Sequence, residues 1–348
     1  MPQQSGRAIR ISVCGMLALL LTVLLTVTGC SSKLTDVAPA TVEPARAAVS
    51  PPPATAPVGQ VLPLGGQPAA AIFDRATAAL AVLSPGADPQ AAARVTIVGP
   101  TASGRTVTLP GPATAIAGDD RGAVYLSTRG GFVTVDLASG TTTPTAITGE
   151  TATDFTAIGH RTDGLLVLGS AAGAAYTLGP DRSVTHRAAI FARVDAIVTE
   201  GDTAVILDRG QTSVTALSPQ GTPQQSLRAG LGATTMAADP MGRVLVADTR
   251  GGQLLVFGVN PLIARQAYPV TGSPYGITGS SALVWVSQTA TNEVIGYDLA
   301  TGIPVEKVRY PTVRQPNSLA FDDASGTLYV VSGSGAGVQV IRNAAGTR

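Results

Sequence analysis

The sequence predicts an all-β protein, a seven-bladed β-propeller built from four-stranded antiparallel blades. Three observations favour this fold. A unit of about forty residues recurs along the chain, and each unit contains short β-patterned runs separated by polar, glycine-containing turns. Glycine and proline contribute 40 and 25 of the 348 residues, a composition that suits many turns and short strands better than long helices.

The repeats are clearest in the first apolar run of each unit. A polar turn with glycine, a β run, a second turn and another β run follow, as in TAIAGDDRGAVYLSTRGGFVTVDL, residues 114–137. One inner apolar residue of the first run serves as an anchor, and successive anchors lie 39 to 44 residues apart. A period near forty with strand-type content is typical of propeller blades. The seven anchors are Ile72, Ile116, Ile158, Ile197, Met236, Ile277 and Leu319.

The other strands follow each anchor in order. Second strands, such as residues 80–83 and 244–247, are nearly continuous apolar runs, as expected where neighbouring blades cover both faces. Third strands such as 254–257 come next. Fourth strands such as 106–109 and 306–310 are more polar, which suits the outer edge of a blade. The β-branched residues and frequent glycines and prolines argue against helical repeats of the same period.

The last unit lacks one strand. It has β runs at residues 318–321, 328–331 and 338–341, after which seven residues remain. The segment GQVLPLGGQP, residues 59–68, has no place in the first unit and resembles the fourth strand RTVTLPGP, residues 105–112. We therefore expect residues 59–68 to complete the last blade. This pairing would close the ring and remove an exposed sheet edge.

The first 29 residues predict a lipoprotein signal peptide. Arg7 and Arg10 precede an uncharged stretch, residues 11–29, and the tetrapeptide VTGC that ends at Cys30 has the aliphatic, small, small, Cys order of a bacterial lipobox. Cleavage before Cys30 would leave a cysteine that takes a diacylglycerol, and several acyl chains hold a protein firmly on a membrane. The pattern predicts lipid anchoring at the extracytoplasmic face of the cell membrane. An uncleaved signal anchor is the alternative.

The remaining chain divides by composition. Residues 30–57 are rich in Ala, Pro, Thr and Val, which indicates a lipidated cysteine followed by an extended tether. The propeller is expected over residues 58–343 and a tail over 344–348. Cys14 is lost with the signal peptide, so the mature chain keeps one cysteine and forms no intrachain disulfide. We expect a monomer.

Two repeats carry a resemblance to known families. The segments GRVLVADTRGGQLLVFGVNP, residues 242–261, and GTLYVVSGSGAGVQVI, residues 326–341, resemble the NHL and YVTN types of propeller repeat. With the lipobox, the tether and the seven repeats, the chain resembles the mycobacterial-type LppL-like lipoproteins, a family without an assigned activity. The resemblance implies a lipid-anchored envelope protein. Its repeats are specific for the fold only, because propellers host both enzymes and binding modules.

Charge and residue types exclude several functions. The formal net charge is +1, which gives no electrostatic footprint for DNA or RNA, so no nucleic-acid partner is expected. His160 and His186 have no obvious nucleophile or metal partner, and no catalytic residue is predicted. The acidic pairs at 119–120 and 322–323 precede a turn glycine, where aspartate favours the turn backbone.

Positions that differ between aligned repeats indicate where a ligand would bind. The loops between second and third strands should lie around one mouth of the central channel. The residues two positions before the anchors should lie at the same mouth. These preceding residues are Thr114, Thr156, Asp195, Thr234, Tyr275 and Asn317. Three arginines in equivalent loops would form a cationic rim for an anionic group; pairing of each arginine with a loop carboxylate is the alternative. The candidate rim comprises Arg129, Arg209, Arg250, Asp208, Asp248, Gln288, Tyr275 and Asn317.

Two function classes remain open. The first is a non-enzymatic envelope lipoprotein whose propeller binds or scaffolds an envelope protein, a glycan or an anionic ligand without a cofactor. The second is an enzyme resembling calcium-dependent propeller hydrolases, lactonases or sugar dehydrogenases, in which Asp154, Asp195 and Asn317 supply oxygens for the cation. The first is preferred, because the other blades offer Thr, Ala and Tyr at the matching positions.

Overall fold

A computed structural model of the chain describes residues 40–100 and 104–346. These residues contain no α-helix and form 28 strands in seven four-stranded antiparallel sheets, the blades of a ring. The predicted seven-bladed fold is therefore confirmed. Over the same ranges, no helix is long and apolar enough to cross a bilayer. The predicted signal peptide and Cys30 lie outside the described residues.

In each of the first six blades four consecutive strands run from the channel outwards. Blades one and two comprise β2 (Ala70–Asp74), β3 (Ala79–Ser84), β4 (Arg94–Val98), β5 (Gly104–Thr108), and β6 (Ile116–Gly118), β7 (Ala123–Thr128), β8 (Gly131–Asp136), β9 (Thr142–Ala146). Blades three and four comprise β10 (Phe155–His160), β11 (Leu166–Ser170), β12 (Ala175–Leu178), β13 (Val184–Ala188), and β14 (Ala196–Glu200), β15 (Thr203–Asp208), β16 (Ser213–Leu217), β17 (Pro223–Arg228). Blades five and six comprise β18 (Ala233–Asp239), β19 (Arg243–Asp248), β20 (Gln253–Gly258), β21 (Ile263–Pro269), and β22 (Pro274–Gly279), β23 (Val284–Gln288), β24 (Glu293–Asp298), β25 (Val305–Pro311).

Blade seven joins the two ends of the propeller. It contains β26 (Pro316–Asp322), β27 (Thr327–Ser332) and β28 (Val338–Ile341), and its outer strand is β1 (Gln60–Leu62). Gln60 pairs with Val340 and Leu62 with Val338, so the predicted segment 59–68 closes the ring. The strand is shorter than that segment because Pro63 follows it and has no N–H for the ladder.

Apolar side chains fill the interface between each blade and the next. At the closure, Val331 and Val338 of blade seven pack with Leu80 and Val82 of blade one, and all four are fully buried. Burying one such side chain contributes about 1.5–3 kcal/mol. The closing interface is therefore an apolar core like those elsewhere in the ring.

Acidic turns join neighbouring blades at one end of the propeller. Asp119 accepts hydrogen bonds from the backbone N–H groups of Arg121 and Ala123 at 2.8 and 3.0 Å, within its own turn. Asp323 of blade seven accepts from the N–H of Ser281 in blade six at 2.8 Å. The two acidic pairs thus have the turn role that their sequence context indicates.

Candidate ligand site at the channel mouth

The seven inner strands enclose a central channel of about 600 Å³. Equivalent residues of the inner strands line it at the same height, because each blade presents its first strand to the axis. The anchors defined by the sequence repeat all line this channel and form an aliphatic waist. The waist consists of Ile72, Ile116, Ile158, Ile197, Met236, Ile277 and Leu319.

A β-bulge opens the ladder at the start of four inner strands. In blades three, five, six and seven the register between inner and second strand shifts within the first residues of the inner strand. Residues in a bulge leave the regular pairing, which re-aims their side chains. The residues released in this way are Thr156, Thr234, Tyr275, Gly276 and Asn317.

Threonine hydroxyls at the mouth connect blades. Thr114 donates to the carbonyl of Phe155 in blade three at 2.9 Å, and Thr156 donates to the carbonyl of Val194 at 2.5 Å. Each bond joins one blade to the next. Thr114 and Thr156 therefore connect neighbouring blades at the mouth.

Tyr275 and Asn317 line the channel with polar atoms that the described chain leaves open. The Asn317 side-chain oxygen accepts from Gln315 Nε2 at 3.1 Å. Among the described residues, none forms a hydrogen bond with the Tyr275 hydroxyl or the Asn317 amide nitrogen. Both side chains are half-buried, so they offer a hydroxyl and an amide to a molecule in the mouth.

Arg209 is the cation that lines the channel among the described residues. Its Nη2 donates to the carbonyl of Ala45, while its Nε is enclosed and has no acceptor in the described chain. Asp195 is close, but its carboxylate accepts from the Arg209 backbone N–H at 2.8 Å and from Arg193 Nε at 3.1 Å. The Arg209 guanidinium is thus a partly unsatisfied donor group at the mouth.

The other two predicted rim arginines lie away from the channel lining. Arg129 faces Asp154 at 3.4 Å, and both side chains are mostly exposed. Arg250 donates to the carbonyls of Glu43 at 2.5 Å and Leu231 at 3.2 Å. The three arginines therefore occupy equivalent loops but do not converge on one point.

Asp208, Asp248 and Gln288 are buried within the loops. Each aspartate accepts three backbone N–H groups: Asp208 from residues 192, 193 and 211, and Asp248 from residues 231, 232 and 251, at 2.7–3.2 Å. Gln288 accepts from Arg309 and Thr291 at 3.3 Å each. Neither aspartate pairs with a rim arginine; both fix the loops that lead into their own blades.

Residues 40–51, which we call the strap, cross the same end of the propeller. The Val42 N–H donates to the carbonyl of Gly210 in blade four at 2.8 Å, and the Ala48 N–H donates to Ser273 Oγ at 3.1 Å beside blade six. Ser50 is buried and exchanges hydrogen bonds with Gln315: its N–H donates to Gln315 Oε1 at 2.9 Å and its Oγ accepts from the Gln315 N–H at 3.0 Å.

The predicted tether is thus held where the structure describes it. Residues 30–39 lie outside the described ranges, whereas residues 40–51 form neither helix nor strand yet bond to blades four to seven. The composition of the strap did not indicate that it would bond to the blades, because its hydrogen-bond partners are backbone carbonyls and loop side chains. Alanine and serine, being small, let the strap backbone approach the loops closely.

The predicted calcium ligands are only partly brought together. Asp195 and Asn317 line the channel, while Asp154 faces Arg129 outside that lining. Within residues 40–100 and 104–346, no group of three or more His, Cys, Asp or Glu side chains is placed to hold a metal ion. Calcium binding stays a prediction, and these three residues form no common ligand set.

His160 lies toward the opposite end of the channel. Its ring stacks on Tyr125 at 5.2 Å between centroids. Burial is the main cause that lowers the pKa of His160 below its usual value, with Asp119 acting in the opposite direction. This environment disfavours the charged form of the imidazole, and Tyr125 is the aromatic partner that the sequence did not indicate.

Comparisons with known proteins show the fold alone. No protein family and no curated protein matches the chain. Solved structures that resemble it include a streptogramin B lyase (10% identity, 82% of this chain and 97% of that chain, TM-score 0.67) and virginiamycin B lyase from Staphylococcus aureus (11%, 81% and 98%, 0.65). The RRP9 WD40 repeats are similar to the same degree (14%, 83% and 98%, 0.69).

Proposed function

We propose that the chain is a lipid-anchored binding module of the cell envelope, whose channel mouth takes an anionic ligand. The lipobox at Cys30 supports export and anchoring, and it also underlies the resemblance to LppL-like lipoproteins. The propeller fold is compatible with a binding or scaffold role. One observation carries the ligand class: Arg209 is the cationic side chain in the channel lining among the described residues, and while its Nη2 donates to Ala45, its Nη1 donates to no acceptor there.

An anionic group would supply the acceptor that Arg209 lacks. Charge-assisted hydrogen bonds from arginine to carboxylate or phosphate are stronger than neutral ones. Tyr275 and Asn317 offer further polar contacts in the same mouth, and the aliphatic waist below them suits an apolar body. The ligand proposed is therefore a small amphiphile with a carboxylate or phosphate head. Arg209 takes the role first assigned to three arginines.

The geometry favours binding over catalysis. A general base must lie within hydrogen-bond reach of the proton it removes. The Asp195 carboxylate is already bonded to Arg193 and to the Arg209 backbone, and the His160 ring stacks on Tyr125 away from the mouth. Neither side chain is paired with a nucleophile among the described residues.

Retention of small molecules from envelope extract tests this proposal. The full chain, purified in detergent, is incubated with extract and its retained anions are identified by mass spectrometry. Arg209→Gln removes the channel cation. Arg250→Gln is the matched control, because Arg250 also donates to a strap carbonyl but does not line the channel.

We expect the wild type and Arg250→Gln to retain the same carboxylate- or phosphate-bearing molecules, and Arg209→Gln to lose them at least about tenfold, as for loss of one strong charge-assisted bond. Equal retention by all three proteins would contradict a site at Arg209. Conversion of the retained molecule to a product would contradict the non-enzymatic part of the proposal.

A further inference from the structure

One end of the propeller carries the strap, the loops leading into the inner strands and the loops between second and third strands; we call it the strap face. Apolar side chains protrude from it. Val42 and Val49 of the strap are 43% and 83% exposed, and Ile190 and Leu231, in the loops that lead into blades four and five, are 50% and 60% exposed. Exposed aliphatic side chains also occur at the opposite end, among them Met241 and Ile303 at 63% and 68%, so it is the charge that distinguishes the two ends.

The same half of the strap face is basic. Among the described residues of the strap and of the loops at this end of blades four to seven, five arginines are exposed and Glu43 is the exposed carboxylate. Asp208 and Asp248 are buried beneath these loops, so they add little negative potential at the surface. The exposed arginines are Arg46, Arg193, Arg228, Arg250 and Arg314.

The opposite end has no comparable excess of exposed arginines over exposed carboxylates. Around the whole of that end, exposed aspartates accompany the basic side chains, and Arg75 is paired with Asp120 at 2.6 Å, as Arg46 is with Glu43 at 3.4 Å on the strap face. The exposed aspartates of that end are Asp120, Asp136, Asp163, Asp181 and Asp323. The two ends of the propeller therefore differ in charge, and the arginine excess lies at the end that carries the strap.

Chain length brings a membrane within reach of this face. Nine residues separate Cys30 from Ala40, where the described strap begins. A fully extended chain spans at most about 3.3–3.6 Å per residue, so the lipidated cysteine and Ala40 are within roughly 35 Å of each other. Because the connection is short, the strap face would be held near the bilayer at a high effective concentration.

We propose that the strap face docks on the anionic lipid surface to which the protein is anchored. This inference rests on the proposed lipid anchor at Cys30. Aliphatic side chains interspersed with arginines match the boundary between acyl chains and headgroups, and basic side chains near an anionic leaflet are attracted to it. Docking in this orientation turns the channel mouth with Arg209 toward the membrane, so that an anionic amphiphile from the bilayer is a natural ligand.

Depth measurements on the anchored protein test the orientation. The lipidated full chain is reconstituted into vesicles of phosphatidylglycerol and phosphatidylcholine, or of phosphatidylcholine alone, and one introduced cysteine carries a fluorophore. Leu231→Cys reports on the strap face of blade five. Met241→Cys is the matched control, because it is equally exposed at 63% on the opposite end of the same blade. Quenching by spin-labelled lipid measures proximity to the bilayer.

We expect the Leu231→Cys label to be quenched on phosphatidylglycerol vesicles and the Met241→Cys label to stay in water. Arg46→Gln with Arg228→Gln should lower the equilibrium constant for docking by roughly twenty-fivefold, as two basic contacts of about fivefold each, and high salt should lower it likewise. The paired control Arg121→Gln with Arg342→Gln, at the opposite end, should leave docking unchanged.

Flotation with the vesicles separates the two proposals. If the protein floats but the Leu231→Cys label is not quenched, or the Met241→Cys label is quenched instead, the docking proposal is wrong while the anchor stands. Equal quenching on both vesicle types, insensitive to the arginine changes, would overturn the anionic lipid as the occupant. A protein that does not float overturns the anchor and the docking that depends on it.

Discussion

Asp248 shows how single carboxylates organise the loops around the mouth. It is fully buried and accepts the backbone N–H groups of Leu231, Gly232 and Gly251 at 2.8–2.9 Å. Glycines allow this close approach: a Cβ on Gly251, or on Gly230 with its φ of +73°, would lie 1.9 Å from the Asp248 carboxylate. The Asp and Gly residues of the repeat therefore form one structural unit.

Replacing Asp248 with asparagine should destabilise the protein. One carboxylate oxygen becomes an amide that faces a backbone donor, and a buried unsatisfied group costs about 1–3 kcal/mol. Denaturant unfolding should show this loss in the free energy of unfolding. Asp154→Asn is the control, since its carboxylate is 60% exposed and an exposed ion pair contributes about 0–1 kcal/mol. Equal losses in the two variants would contradict this role of Asp248.

His160 should make stability depend on pH. Burial lowers the pKa of the folded-state imidazole below the usual 6.5, so the unfolded chain binds the proton more readily. Stability from this group is complete above the unfolded pKa and is lost as the pH falls below it, until the folded pKa is passed. His160→Gln should flatten the slope of unfolding free energy between about pH 7.5 and 5, and an unchanged slope in this variant would contradict the prediction.

Side-chain roles at the mouth could be predicted only in part. The repeat alignment placed Arg129, Arg209 and Arg250 correctly in equivalent loops, because the blade backbone recurs. It could not show that Arg209 alone of the three lines the channel. Arg250 instead donates to a carbonyl of the strap, which lies outside the repeat, and Arg129 pairs with Asp154. Side-chain direction depends on neighbours that a repeat does not encode.

At the scale of strands, Gln339 secures the closure of the ring. It lies on β28, fully buried, and its Oε1 accepts the Val313 N–H at 3.0 Å. Its Nε2 donates to the carbonyls of Val58 at 2.8 Å and Pro311 at 3.0 Å. One side chain therefore joins blade seven, the end of blade six and the segment that leads into β1.

Replacing Gln339 with leucine should weaken the closure. The Val313 N–H and the carbonyls of Val58 and Pro311 would lose the partner that Gln339 supplies, although the Pro311 carbonyl keeps the Val58 N–H at 3.4 Å. A buried backbone group costs about 1–3 kcal/mol if it is left unsatisfied. Amide hydrogen exchange should accelerate first in residues 58–62 and in β28, and the melting temperature should fall. Gln224→Leu, on the exposed outer strand of blade four, is the control. Unchanged exchange in β1 would show that closure rests on the β1 ladder alone.

Strand positions were predictable because the physical signal is local. The second strands are apolar on both faces and the inner strands carry the anchors. The order of the strands can therefore be predicted from each unit alone. The fourth strand of blade one begins two residues earlier than expected, at Gly104, and Pro110 follows its end. The strap was not predicted, because its bonds form with loops up to 267 residues away in the chain.

At the scale of the whole molecule, closure leaves seven equivalent interfaces and two unlike ends. The ladder between β1 and β28 covers the edge of β28, which would otherwise be free to pair with another chain. One end carries the strap, exposed arginines and the channel mouth; the other carries the acidic turns. With the anchor proposed above, this polarity would give the propeller a defined orientation, which is why the anchor matters to the proposed binding role.

The intact mass of the protein isolated from membranes tests the anchored binding module most directly. The account predicts that the wild-type chain begins at Cys30, carries the added mass of a diacylglycerol with further acylation, and partitions into the detergent phase. Cys30→Ala should either keep its signal peptide or leave the membrane without lipid. A wild-type mass that includes residues 1–29 with no lipid, or equal partition and acylation of the Cys30→Ala variant, would contradict it.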